Sequence, residues 1–511
     1  MSDSPIAAAL ARHFGHPGFR RGQEAAVEAA VSGKDVLLVM PTGAGKSLCY
    51  QLPALEDTEK LTVVVSPLVS LMQDQVDALG PVAELVNAQR DGSANEESVR
   101  RALAGEARML YVAPERFWAP GFGERLKGKV GLFVVDEAHC VSQWGHDFRP
   151  EYFKLGEIAK RLEARSIFAA TATATPRVAI DIVQRLGLRD PVKIATGFER
   201  PNISYDVVPV RGDRARESTL SALLGEPGAL PAIVYSGTRK RTDETAGRLS
   251  RELGTTIPAY HAGVEREARA EAQRTFMSGD APVVVATNAF GMGVDKANVR
   301  TIVHEAVPSS LEAYYQEAGR AGRDGLPSRC VLLANPQDKG LHVFFINQTE
   351  GEDAQRERWA QYRAIWQFVD EPECRRAAIL KHFGDRTPPS ASGRCCDVCD
   401  GPLPVASTVA TAPRPRAASS GGTGEVSEAI IEVVATASPA VGRTRTVEIL
   451  RGGRSKVIAK YDYDELPGYG ELSDWRADEL LAEVDLLIDS GRLASTGGRF
   501  PKLRLVDAEA A

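Results

Sequence analysis

The sequence contains no apolar run approaching the ~18 to 20 residues that a membrane-spanning helix needs, which argues against a helical membrane protein. Its first residues, MSDSPIAAALARHFG, carry an early Asp3 and neither a basic leader nor a long apolar core, so they do not read as a secretory signal. The cytoplasm is the expected compartment. An excess of positive charge is also missing: the formal net charge is −6. Composition is therefore neutral on nucleic acid, because binding depends on local patches rather than on the sum. Cysteine is scarce, with seven residues at 49, 140, 330, 374, 395, 396 and 399. An odd number without a leader excludes a fully paired disulfide framework. No internal repeat is visible. What is present is ordinary globular composition, 43% hydrophobic and 25% charged over 511 residues, enough for about three domains at ~150 residues each.

Short β-rich runs alternate with helical stretches from about 24 to 350. One set of strand candidates covers 36–40, 61–66, 109–113, 132–136 and 167–170. A second covers 232–235, 283–286, 301–304 and 330–333. Near-continuous apolar strands between helices predict parallel sheets covered on both faces, hence an α/β fold with two lobes. The lobes are placed at 1–205 and 206–335, with a less regular stretch at about 190–230. A helical, cysteine-bearing region follows at 336–403. Residues 404–424 are rich in Pro, Ala, Ser, Thr and Gly without periodicity and read as a flexible linker. The last segment, 425–511, regains helical pattern, with Leu480, Leu481, Val484, Leu487 and Ile488 on one face. A hairpin over 493–505 with a Gly497-Gly498 turn completes what resembles a winged helix.

The first strand runs into Pro41-Thr42-Gly43-Ala44-Gly45-Lys46-Ser47, a glycine-rich turn opening a helix. Backbone N–H groups of such a turn cradle phosphates, and the helix N-terminus favours anions. Lys46 is placed to reach the β- and γ-phosphates and Ser47 to ligate Mg²⁺. Met40 stands where the longer form of this pattern has its first glycine. The strand at 132–136 ends in Asp136-Glu137-Ala138-His139, and strand ends are where parallel sheets bind ligands. Asp136 is expected to hold Mg²⁺ and Glu137 to orient and deprotonate the attacking water. In the second lobe, Gln316-Glu-Ala-Gly-Arg320-Ala-Gly-Arg323 offers two arginines beside glycines, suited to entering a phosphate site.

These motifs, with Phe19-Arg20-Arg21-Gly22-Gln23, VVVSPLVSLMQDQV, DEAHCVSQWGHDFRPEY, TATAT, VVATNAFGMGVDKANVR and YYQEAGRAGRDGLP, resemble the RecQ family of superfamily 2 DNA helicases over about 10–400 and more loosely beyond. The resemblance implies two RecA-like lobes, a helical zinc-binding subdomain and a C-terminal winged helix. It implies an ATP site of His16, Arg20, Gln23, Thr42, Gly43, Ala44, Gly45, Lys46 and Ser47. Gln23 would read adenine, Arg20 and His16 would sandwich its ring, and Gln316, Arg320 and Arg323 would complete hydrolysis across the cleft. The loop with Gln143, Trp144, His146, Phe148 and Arg149 resembles the family's aromatic-rich loop, which couples DNA to hydrolysis. Zn²⁺ is expected on Cys374, Cys396 and Cys399. Cys395 is the natural fourth ligand where Gly393 replaces the usual cysteine, and His382 is the lesser candidate.

The activity implied is ATP-dependent 3′→5′ movement on single-stranded DNA with unwinding of forked duplex, in repair, recombination or replication, by a monomer. An RNA-directed remodeller and an annealing protein with a vestigial ATPase are the alternatives. In the last segment, Arg443, Arg445, Arg451, Arg454, Lys456 and Lys460 form a basic stretch suited to phosphates, and Phe500 is placed in the wing as a strand-separating wedge. The chain ends soon after, so the further helical DNA-binding domain (HRDC) of many relatives is expected to be absent.

Overall fold

The computed structural model describes residues 4–67, 69–145, 147–291, 296–405, 423–475, 477–496 and 501–506. These fall into two compact units, Met1–His342 with Glu350–Thr411, and Val343–Thr349 with Ala412–Ala511.

The first unit is built on two parallel sheets. The strands of the first are β1 Val36–Val39, β2 Leu61–Val65, β3 Ala83–Val86, β4 Met109–Val112, β5 Val130–Val135, β6 Ser166–Thr171 and β7 Val192–Ala195. Their order is β3-β4-β2-β5-β6-β1-β7. The second sheet contains β8 Ile203–Pro209, β9 Ala232–Tyr235, β10 Ala259–Tyr260, β11 Val283–Ala286, β12 Thr301–His304 and β13 Ser328–Ala334. Its order is β10-β11-β9-β12-β13-β8. Each sheet buries apolar side chains on both faces, as strands enclosed by helices must.

The stretch at 190–230 is more regular than its composition suggests. It holds β7, β8 and the helix Gly212–Gly225. β7 is an edge strand whose side chains alternate between exposed and half-buried, so it lacks the apolar run that marks its neighbours. β3 escapes a hydrophobicity reading for a related reason, since Glu84 interrupts it. β8 pairs in parallel with β13 from Ile203 to Pro209, so the second sheet begins at Ile203.

The phosphate loop follows β1, the DEAH turn follows β5, and TATAT begins at the end of β6. Because β5, β6 and β1 are neighbours, topology alone brings these three loops to one sheet end. After the second sheet come the helices Glu352–Asp370 and Arg375–His382 and the cysteine-bearing loop. Leu403, just before the expected linker, and Val405, within it, are buried against the second lobe, while 406–422 lie outside the described residues.

The second unit packs the helices Thr423–Thr436, Arg443–Leu450 and Ala477–Asp489 around Ile430, Val433, Ile449, Leu480 and Val484. An antiparallel pair, β14 Leu493–Ser495 and β15 Leu503–Leu505, follows. The helical stripe at 480–488 faces this core as its spacing requires. The Gly497-Gly498 turn and Phe500 lie outside the described residues.

Candidate functional site

The phosphate loop turns on Gly43 and Gly45, at φ of +80° and +86°, values that side-chain-bearing residues rarely adopt. Ser47 N-caps the helix Leu48–Glu56, leaving the first N–H groups of that helix directed at the loop. Lys46 is held back over its own loop, donating from Nζ to the Met40 carbonyl at 3.2 Å. Burial lowers its pKa, and the neighbouring carboxylates of Glu137 and Asp136 oppose that shift.

Asp136 and Glu137 share the turn after β5. Burial, and then the charge of Glu137, push Asp136 up to about 7, with Lys46 pulling the other way. A buried carboxylate beside a second one is a donor set that a hard divalent cation would relieve, so the residues fit Mg²⁺. Glu137 sits in the left-handed region at φ +49°, a conformation that costs a residue other than glycine about 1–3 kcal/mol and collects at functional sites. His139 links this turn to β6 through Nδ1 and Thr171 Oγ1, 3.0 Å apart.

Gln23 is buried against the loop. Its Nε2 donates to the carbonyls of Ala44 (3.1 Å) and Gly45 (3.2 Å), and its Oε1 accepts from the Arg20 N–H at 2.8 Å. Arg20 reaches the Gly43 carbonyl at 3.0 Å, while His16 is exposed and stacks on Phe14 with ring centres 6.5 Å apart. The structure thus brings Gln23 and Arg20 to the phosphate loop and sets His16 further out.

From the second lobe, Gln316 lies on the helix Leu311–Ala318, and Arg320 and Arg323 on the loop that follows. Arg323 Cγ lies 3.1 Å from where a Cβ on Gly43 would stand, so the arginine lies against the phosphate loop across the cleft. Arg320 is buried beside Gly291, its Nη2 3.0 Å from the corresponding point there.

In the loop after DEAH, Gln143 is exposed and Trp144 half-buried. The Arg177 guanidinium lies 3.4 Å from the centre of the Trp144 ring. Phe148 meets Phe153 edge-on at 6.2 Å. Arg149 turns inward, binding Asp147 at 3.0 Å and the Pro67 carbonyl at 3.2 Å. His146 lies outside the described residues.

Cys374, Cys395, Cys396 and Cys399 converge, with their sulfurs within 4.8 Å of one another. Cys374 and Cys395 are 3.7 Å apart. Thiolates about 2.3 Å from a tetrahedral Zn²⁺ would stand roughly 3.8 Å apart, so these residues fit the ion. His382 is engaged elsewhere, with Nε2 2.7 Å from Glu312. The loop carrying the cysteines is tied to the edge of the second sheet. Tyr205 N–H donates to the Cys395 carbonyl at 3.1 Å, and Val207 N–H to Asp397 at 3.1 Å.

Family models match in the same order as these features. A DEAD/DEAH box helicase model matches residues 20–182, a helicase conserved C-terminal domain 217–325, a RecQ zinc-binding model 336–400 and an RQC domain 422–511. The ATP-dependent DNA helicase RecQ of Bacillus subtilis is 36% identical over 97% of this chain and 81% of its own length. The chain belongs to the RecQ helicase family. RecQ of Pasteurella multocida is 41% identical over 76% of the chain, which spans 61% of that relative. Among solved structures, the DEAD-box helicase Mss116 bound to ssRNA and UDP-BeF superposes with a TM-score of 0.55, covering 70% of this chain and 80% of that one. At 17% identity that likeness speaks for the fold alone.

Sequence reasoning missed several residues of this RecQ chain that the structure places at the site. Arg177, stacked on Trp144, opens the helix Pro176–Leu186 directly after TATAT. Asp147, which occupies Arg149, sat inside a quoted motif without a role. Arg200 lies on the connector between the sheets and reaches the backbone of both lobes. Its only sequence signal is its position between two strand sets. Of the six basic residues of the C-terminal stretch, Arg443 pairs with Asp485 and Arg445 with Glu448. Arg451, Arg454, Lys456 and Lys460 are exposed. No helix among the described residues is long and apolar enough to cross a membrane.

Proposed function

We propose that this chain is an ATP-dependent DNA helicase that tracks 3′→5′ on single-stranded DNA and separates forked duplex, serving DNA repair and recombination as a cytoplasmic monomer. The observation that carries the reading is the meeting of Gly43, Lys46, Asp136 and Glu137 in one lobe with Arg323 of the other. A nucleotide phosphate bound there would be touched by both lobes, so its hydrolysis changes what holds them together.

Backbone N–H groups of 43–47 cradle the phosphates and Lys46 turns from the Met40 carbonyl to the β/γ-phosphates. Ser47 and Asp136 would hold Mg²⁺, which when bound neutralises phosphate charge. Glu137 orients a water for attack on the γ-phosphorus and takes its proton as the bond to the β-phosphate oxygen breaks. Arg320 and Arg323, helped by Gln316, stabilise the charge shifted onto that oxygen. Gln23 reads adenine, with Arg20 and His16 on its ring faces. Trp144 and Phe148 take unpaired bases, at ~1–3 kcal/mol per stacked base. Through the chain from Trp144 to Glu137 they report DNA to the catalytic turn. Zn²⁺ on Cys374, Cys395, Cys396 and Cys399 braces the helical region.

The test is ATP hydrolysis and strand displacement with and without single-stranded DNA. Lys46→Ala and Glu137→Gln are each expected to lower DNA-stimulated hydrolysis by about a hundredfold or more, with Glu137→Gln still binding ATP. Unchanged hydrolysis in both would sink the site, and equal stimulation by RNA would redirect the substrate.

A further inference from the structure

The connector between the two sheets, residues 199–202, grips the loop that carries Arg320 and Arg323. The Arg200 guanidinium donates to the carbonyls of Gly319 (2.8 Å), Ala321 (2.8 Å) and Gly322 (3.3 Å). Two of these flank Arg320 directly. The same guanidinium reaches the Thr42 carbonyl of the phosphate loop at 3.4 Å. One side chain therefore spans the cleft through main-chain acceptors alone. Asn202 adds a second hold, donating to the Gly322 carbonyl at 2.8 Å and the Leu326 carbonyl at 2.9 Å. Gly322, at φ +53°, has no room for a side chain, because a Cβ there would lie 2.4 Å from Asn202 Nδ2. The connector is itself fixed. Arg376, buried and placed two residues after Cys374, donates to the carbonyls of Arg200 (2.9 Å) and Ile203 (2.6 Å) and pairs with Glu199.

We infer that Arg200 is a positioning residue for ATP hydrolysis: it sets the backbone of the 319–323 loop, and so the aim of Arg320 and Arg323, relative to the phosphate loop. A planar fork presents donors on both Nη atoms and so reaches all four carbonyls from two segments, whereas a lysine has three donors on a single nitrogen. The weakest of its bonds, to Thr42, is the only one crossing the cleft, so lobe opening leaves the grip on the arginine loop intact. The inference rests on the reading of Arg323 as a group acting on the transferred phosphate, and the experiment separates the two.

Steady-state ATP hydrolysis at saturating single-stranded DNA is measured for Arg200→Lys, Arg323→Ala and the double variant. Thermal unfolding and zinc content are measured on the same samples. Arg200→Lys is expected to lower kcat about tenfold or more with KM for ATP held within about threefold. It should cost clearly less in the Arg323→Ala background than in the wild type, because one of the two arginines it aims is then gone. Asn202→Ala should show the same split in smaller measure, and it carries the test if Arg200→Lys folds poorly. A loss that is additive with Arg323→Ala, a loss confined to KM, or no loss overturns the inference. An Arg323→Ala variant of unchanged kcat overturns the role of Arg323, and with it this coupling. A full Arg200→Lys loss on that background would then assign Arg200 a separate part.

Discussion

Gln23 spends its whole amide on main chain, with two carbonyl acceptors in the phosphate loop and one N–H donor in Arg20. To read a base, it must exchange these bonds for others of the same kind. The exchange is nearly neutral for adenine, whose edge offers one donor and one acceptor, and unfavourable for a base that leaves the amide mismatched. Gln23→Ala is accordingly expected to reduce the preference for ATP over GTP in kcat/KM by roughly ten- to a hundredfold. A variant as selective as the wild type would show that the amide serves only the loop. Trp144 poses a similar exchange, since its ring already carries the Arg177 guanidinium at 3.4 Å. Trp144→Ala should weaken single-stranded DNA binding by about five- to a hundredfold, matching the loss of one stacked base, and abolish most DNA stimulation of ATPase. Retention of stimulation in fluorescence-anisotropy and hydrolysis assays would return Trp144 to the core. The identity of these residues was legible because motifs fix their chemistry. Arg177 and Arg200 were not, because a lone arginine, whether at the start of a helix or on a connector, looks the same whether it faces solvent, a ring or four carbonyls.

At the scale of elements, the cysteine loop and the helix Arg375–His382 do more than enclose a metal. They cover the outer edge of β8, an edge strand whose N–H groups at Tyr205 and Val207 are taken by Cys395 and Asp397. An uncovered edge is a template for pairing with another chain. Arg394 and Asp206 seal the same edge at 2.7 Å, and burial raises the Asp206 pKa while this arginine lowers it. Arg376→Met would leave the half-buried Glu199 without its ion-pair partner and the Arg200 and Ile203 carbonyls without their donor, and is expected to cost about 1–3 kcal/mol in chemical denaturation. Cys396→Ala should lose zinc by elemental analysis and scatter light on mild heating, as the β8 edge becomes available. A zinc-free variant that stays monodisperse would show that the loop holds the edge unaided. The strands that sequence reading found, such as β2 and β11, are buried throughout and, Thr62 apart, apolar. β3 and β7 are broken or half-exposed, so periodicity could not separate them from loop, and β7 in particular was absorbed into an apparently irregular stretch.

For the molecule as a whole, the decisive feature is that the second unit has a core of its own. Ile430, Val433, Ile449, Leu450, Leu480 and Val484 are fully buried within one cluster that also takes in Ile458, Tyr463 and, from the hairpin, Leu493 and Leu503. The pattern at 480–488 made this helix legible, but the wing tip with Phe500 lies outside the described residues, so the sequence reading of a wedge gains no geometry. Separate cores on either side of a stretch rich in Pro, Ser, Thr and Gly predict separate cooperative transitions rather than one. Ile430→Ala removes a buried branched side chain and is expected to destabilise the second unit by about 2–5 kcal/mol. The transition of the zinc-bearing unit, and ATP hydrolysis at saturating DNA, should stay where they are. Scanning calorimetry of the full chain, with intact zinc, distinguishes the cases: the second unit's transition alone moves if the cores are energetically independent. Both transitions moving together would mean that the units stabilise each other, and a motor activity falling with the Ile430→Ala core would carry that coupling through to the ATP site.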